Sequence, residues 1–97
     1  MRLEWSTRAL ADLDRFAAFL RERHPHLAEV IGAEIVRKTE VLRRYPKLGR
    51  TLAGRDQYRE ITLPVLNAMY VLRYAFDGER LVVLRIFHSR EDRRDPT

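Results

Sequence analysis

Polar and apolar residues alternate through Arg2-Leu3-Glu4-Trp5, the period of a short first strand. Ser6 then stands before a helical pattern as an N-cap, its hydroxyl placed to accept an orphan amide of the first turn. Leu10, Leu13, Phe16, Ala17 and Leu20 recur at spacings of three and four, with Asp12, Asp14, Arg15, Arg21 and Glu22 mostly off that stripe. The helix is expected to close near His24, because Pro25 disfavours the α region for the residue before it. A second helix is predicted from about Leu27 to Arg44, burying Leu27, Val30, Ile31, Ile35, Val41 and Leu42 and ended by Pro46. Gly32, inside it, suggests close helix–helix packing. Two amphipathic helices joined by a few residues form an antiparallel hairpin.

From Pro46 to Asp56 the chain is rich in turn formers and basic residues and reads as a loop. Tyr58–Leu63 reads as a strand ended by Pro64, and Ala68–Phe76 as a stronger one. Asp77-Gly78 supplies a hairpin turn into Leu81–His88. A charged tail, Ser89 to Thr97, is expected to fray. The order is β-α-α-β-β-β, an α+β fold with a helical hairpin on one face of a small, mainly antiparallel sheet. Strict alternation puts Tyr70, Leu72, Tyr74 and Phe76 on one face, with Met69, Val71, Arg73 and Ala75 on the other. By the same rule Val82, Leu84, Ile86 and His88 oppose Leu81, Val83, Arg85 and Phe87. Arg59, Arg73 and Arg85 lie on three different strands and are placed to line the face without helices, as a surface for an acidic peptide or nucleic acid. The plainer reading is solvated arginines paired with glutamates such as Glu60.

Composition sharpens this picture. The 97 residues fit one domain, 1–97, with the tail from about residue 90 outside its packed part. With no cysteine there are no disulfides, thiolate metal sites or cysteine nucleophile, which fits a reducing compartment. No apolar run reaches the length of a signal peptide or a membrane span. The +5 charge rests on 17 arginines and 2 lysines. The planar guanidinium grips carboxylate and phosphate bidentately, so the balance points to an anionic partner or to arginine-biased codon usage.

Catalytic signatures are sparse. His24 and His26 flank Pro25 without further ligands nearby, and no metal or other cofactor is expected. His88 ends a strand and reads as a general acid/base, an interface hydrogen-bonder or a polar strand terminus. Gly49 and Gly54 around Arg50 lack the Lys-Ser/Thr of a phosphate loop, and there is no nucleophile elbow. Trp5 is expected to be buried.

An ordered set of residues carries a family resemblance. Trp5-Ser6 precedes a helix with Ala9, Asp12 and Leu13; Tyr45-Pro46, Gly49-Arg50, Arg59-Glu60-Ile61, Tyr70 with Tyr74, Val83-Leu84-Arg85-Ile86 and His88-Ser89-Arg90 follow. From about residue 2 to 92 this pattern resembles the RelE/ParE superfamily of bacterial toxins. The resemblance implies a cytoplasmic toxin of a type II toxin–antitoxin pair, wrapped by a flexible segment of its antitoxin while another part of the antitoxin binds operator DNA. It leaves open a homodimer or a hetero-oligomer with the antitoxin.

Two branches are in play. RelE-like members cut messenger RNA on the ribosome with basic side chains on the open sheet face. Where they carry two alternating lysines this chain has Glu60 and Thr62, and where they carry an arginine it has Val71, with Arg73 two residues on. A glutamate where a cation should meet phosphate argues against RNA chemistry. Arg59-Glu60-Ile61 and His88-x-Arg90 are more similar to the ParE branch, whose members are associated with inhibition of DNA gyrase. That implies an inhibitor with Arg59, Arg73, Arg85, His88 and Arg90 as antitoxin or target contacts, without direct nucleic-acid binding in the absence of a partner. The alternatives are a ribosome-dependent endoribonuclease, using His88 with Arg50, Arg59 and Arg73, and a non-toxic binding module on the same fold.

Overall fold

The computed structural model of the chain describes residues 1–91. Its elements are β1 (Arg2–Trp5), α1 (Thr7–Arg21), α2 (Pro25–Thr39), α3 (Val41–Arg44), β2 (Arg50–Leu52), β3 (Arg55–Val65), β4 (Ala68–Phe76) and β5 (Arg80–His88). The sheet order is β1-β5-β4-β3-β2, with β1 parallel to β5 and the other neighbours antiparallel. Helices α1 and α2 pack on each other, α1 over β5 and α2 over β3. The α+β class and the β-α-α-β-β-β order therefore hold, with one extra short strand and one helical turn. No helix among the described residues is long and apolar enough to cross a membrane.

Between helices and sheet lies one core of Ala9, Phe16, Ile31, Ile35, Leu42, Leu63, Val65, Tyr70, Leu72, Tyr74, Leu81, Val83 and Ile86. Trp5 is half-buried against it. Ser6 caps α1, its Oγ accepting from the Ala9 amide at 3.0 Å and donating to the Leu84 carbonyl at 2.9 Å. One hydroxyl thus ties the helix start to the β5 edge. Ser6→Ala is expected to cost about 1–2 kcal/mol. A lower urea midpoint at unchanged slope is the readout, and an unmoved midpoint would deny the tie.

Several sequence expectations need correcting. Leu10 is exposed and Asp12 is buried, so the inner stripe of α1 runs Ala9, Asp12, Phe16. The helix closes at Arg21, where the Leu20 carbonyl accepts from both Arg23 and His24. Pro25 starts α2 instead of only ending α1, since its missing amide is no loss in a first turn. The predicted second helix breaks at Glu40, next to buried Thr39, whose hydroxyl donates back to the Ile35 carbonyl at 2.8 Å and bends the helix. Val30 and Val41 are exposed, and a Cβ at Gly32 would meet nothing within 4 Å, so no close helix contact explains that glycine.

In the sheet, the expected loop contains β2, and β3 runs through Pro64 to Val65. Its turn is Leu66-Asn67, with φ of 48° and 68°, the two positive values of a tight hairpin. The largest departure is in β5. Pairing shifts between Arg73↔Arg85 and Tyr74↔Val83, leaving Leu84 as an extra residue. This bulge reverses the alternation midway along the strand. Leu81, Val83, Ile86 and His88 consequently share the helix side with Tyr70, Leu72 and Tyr74, while Val82, Arg85 and Phe87 share the open side with Val71, Arg73 and Ala75. The tail is anchored at its start, Ser89 donating to the Met69 carbonyl and Glu91 to that of His88; residues 92–97, expected to fray, lie outside the described residues.

Candidate functional site

Strand register alone puts four charged residues in one row across the open face. Arg50 pairs with Glu60, Glu60 with Arg73, and Arg73 with Arg85. Glu60 is 6% exposed, and a charge so buried needs partners. Arg73 supplies them, donating from Nε at 2.8 Å and Nη2 at 2.6 Å, while Arg50 stands 3.9 Å from the other carboxylate oxygen. Arg73 and Arg85 face each other as like charges, which is unfavourable across a strand pair. Each guanidinium lies over the Phe87 ring, at 5.4 and 4.8 Å from its centroid, and each has its own carboxylate.

For Arg85 that carboxylate is Asp12, on α1. Oδ2 accepts from Arg85 Nε at 2.9 Å and from the Ile86 amide at 2.8 Å; Oδ1 accepts from Arg85 Nη2 and Arg15 Nη2 at 3.2 and 3.3 Å. β1 ends at Trp5, opposite Val83, so Asp12 serves the β5 edge beyond the reach of that strand. Burial opposes ionisation of the carboxyl, but Arg85, the Ile86 amide and Arg15 outweigh it and hold the pKa below its ordinary value.

Arg59 is not on this face. It pairs with Tyr74, on the helix side, and its Nη1 donates to the carbonyls of Gly49 at 2.8 Å and Lys47 at 3.2 Å. The Tyr74 hydroxyl donates to the Pro46 carbonyl at 2.7 Å and accepts from the Gly49 amide at 2.9 Å. Burial pushes this phenol's pKa up, against the opposing pull of the Gly49 amide and the Arg59 charge. Arg59 and Tyr74 together clasp the segment 46–49 and so deliver Arg50 to the charged row. The clasp is a structural assignment for Arg59, in place of the open-face position expected for it.

His88 and Arg90 stand elsewhere again. His88 pairs with Tyr70 on the helix side, its ring edge-on to the Tyr70 ring at 5.3 Å, with Phe16 a further 5.1 Å beyond. Its Nδ1 accepts from the Arg90 amide at 3.2 Å. These residues border a largely apolar groove of about 650 Å³ between the α1–α2 hairpin and the ends of β4 and β5, where Phe19 is 61% exposed. An ion pair between Arg15 and Glu91 crosses its rim. Burial, then the Glu91 charge, raises the Tyr70 pKa.

The six residues singled out from the sequence thus fall into three places. Arg50, Arg73 and Arg85 share the open face, Arg59 belongs to the clasp, and His88 and Arg90 border the groove. Glu60, Thr62 and Val71, the positions that depart from the ribonuclease pattern, do come together beside Arg50 in one shallow depression. Sequence reasoning missed Asp12 and Phe19. The available signal for Asp12 was a carboxylate in register with Ala9 and Phe16; for Phe19, one step outside the apolar stripe, there was none. His24 and His26 are exposed, and among the described residues no three His, Asp or Glu side chains gather as a metal-binding group.

Comparison with known proteins follows the same lines. Residues 3–93 match the family model of the ParE toxin of type II toxin–antitoxin systems. Toxin RelE1 of Caulobacter vibrioides is 34% identical over 88 residues, spanning 91% of this chain and 92% of that protein. Among solved structures, a chain of the chromosomal ParDE toxin–antitoxin system of P. aeruginosa superposes with a TM-score of 0.72 at 23% identity, over 91% of this chain and 95% of that one. The YoeB/ParE toxin of Agrobacterium tumefaciens gives 0.51 at 20% identity, over 91% and 98%. At these identities the two structures establish a shared fold.

Proposed function

The chain belongs to the ParE toxin family of type II toxin–antitoxin systems, and from that premise we propose that it inhibits DNA gyrase in the cytoplasm and is neutralised by its antitoxin at the groove bordered by His88 and Arg90. A toxin of this family has an antitoxin as its partner. The relatives' names span both branches, so support for the gyrase reading comes from the arrangement of the side chains.

One observation carries it. RNA cleavage requires an acid/base within hydrogen-bond reach of the phosphate that the cations hold. His88 is on the helix side of the sheet, whereas Arg50 and Arg73 are on the open side, and Arg59 is tied to the carbonyls of 47 and 49. These groups do not converge on one phosphate, which favours an inhibitor acting through protein contacts. The groove, apolar with a charged rim, suits an amphipathic segment of the antitoxin.

The purified chain, added to a gyrase supercoiling and cleavage assay, is expected to abolish supercoiling, with recovery on adding the antitoxin. In a translation extract followed by primer extension it should leave messenger RNA uncut. Codon-dependent cuts beside unaffected gyrase would overturn the reading, and inertness in both assays would favour a binding module.

A further inference from the structure

The open face holds a second concavity, separate from the antitoxin groove. It is a cleft of about 820 Å³, walled on one side by the start of α1 (Ser6, Thr7, Arg8) and on the other by the β2–β3 hairpin (Leu52, Arg55). Tyr58, Arg73, Leu84 and Arg85 complete its lining, so four arginines border one space and none of the lining residues is acidic. We propose that this cleft is a receptor for an acidic, extended peptide segment of a partner protein, whose carboxylates are gripped by Arg8, Arg55, Arg73 and Arg85.

Three features support that occupant. Arg73 and Arg85, 11% and 14% exposed at their side chains, are held from behind by Glu60 and Asp12 and from the side by Phe87. Their guanidiniums are fixed before a ligand arrives, so little side-chain entropy remains to be lost. Arg55 lies over the Tyr58 ring, 5.6 Å from its centroid, and adds charge at the rim. All four cations are arginines, whose planar fork matches a carboxylate.

Nucleic acid fits less well. The row next to the charged one runs Tyr58, Ala75, Val82, Glu4 across the same face. Carboxylates of Glu4 and Glu60 therefore stand beside the cleft, where a continuous phosphate backbone would be repelled. A peptide can carry its acidic groups only where the guanidiniums are. This deepens the target-binding reading above by naming the chemistry of the segment recognised.

The test uses a fluorescein-labelled eight-residue peptide of four Asp-Ser repeats, titrated with the intact chain and read by anisotropy. Saturable binding is expected that weakens with salt and falls about tenfold or more in Arg55→Glu and in Arg8→Glu. Arg90→Glu, at the groove, should leave it unchanged, and thermal melts verify that each variant is folded. Three results would overturn the proposal: no saturable binding, equal weakening by Arg90→Glu, or tighter cleft-dependent binding of labelled octa-uridylate. Gyrase plays no part in this assay, so failure here is distinguishable from failure of the gyrase reading.

Discussion

Replacing Asp12 by alanine is expected to remove about 3–5 kcal/mol of stability, the cost typical of deleting one partner of a buried ion pair. Against a total near 5–15 kcal/mol for a domain of this size, that is a major loss. The change strands two groups together: the Arg85 guanidinium and the Ile86 amide, both of which Asp12 accepts from within 3 Å. Asp12→Asn, which keeps an acceptor for the amide but not the charge, should cost less.

The same residue sets an acid dependence. Its folded pKa is depressed, so its contribution is complete above about pH 4, the unfolded carboxylate range, and is lost as the pH falls through the folded value. Urea midpoints of the native chain and of Asp12→Asn should therefore converge as the pH is lowered from about 5 to about 2. Curves that stay parallel would show that Asp12 does not titrate with folding.

Gly49→Ala is expected to cost about 3 kcal/mol or more, combining forced overpacking with lost hydrogen bonds. A Cβ there would stand 2.8 Å from the Glu60 carbonyl oxygen, 2.8 Å from the Tyr74 hydroxyl and 2.9 Å from a Tyr74 ring carbon. Neither neighbour can yield easily: one is the backbone of β3, and Tyr74 is fully buried. The segment must instead lift from the sheet, breaking the bonds from Tyr74 and Arg59 that hold it. Gly32→Ala is the matched control. Open space surrounds that position within a helix, so alanine should stabilise by about 0.5–1 kcal/mol. Denaturant curves of the two variants should move in opposite directions, and a neutral Gly49→Ala would remove the clasp from the account.

Much of the scaffold was legible in the sequence. Ser6 as a cap, the Ala68–Phe76 strand and the Asp77-Gly78 turn all follow from local chemistry, and the structure has each of them. Boundaries failed where a neighbouring element intervened. The segment from 46 to 56 is rich in turn residues, yet Arg50–Leu52 forms a strand because β3 offers it an edge. Val30 and Val41 fit an apolar stripe but face outward; for Val41 the break after Thr39 redirects that part of the predicted helix.

The candidate site was legible only in part. Arg73 and Arg85 do share the open face, although strict alternation grouped Arg85 with Leu81 and Val83, which point the other way. The pattern places Arg59 on that face with them, whereas it lies on the helix side, and His88 borders the groove on the helix side as well. Asp12 stands in the sequence pattern only as one position of a motif off the apolar stripe, and in the fold it is the buried partner of Arg85.

The 17 arginines of this chain illustrate the division. Its sequence determined that they would be interspersed among amphipathic helices and short strands of an α+β toxin fold, because periodicity, capping and turn chemistry act over a few residues. Which arginines meet was decided by the tertiary structure. One extra residue at Leu84 rotates the end of β5 by one face, and register then places Glu60 against Arg73 while helix packing brings Asp12 to Arg85. Pairings between residues 13 and 73 positions apart depend on how strands and helices dock, and no local pattern encodes that.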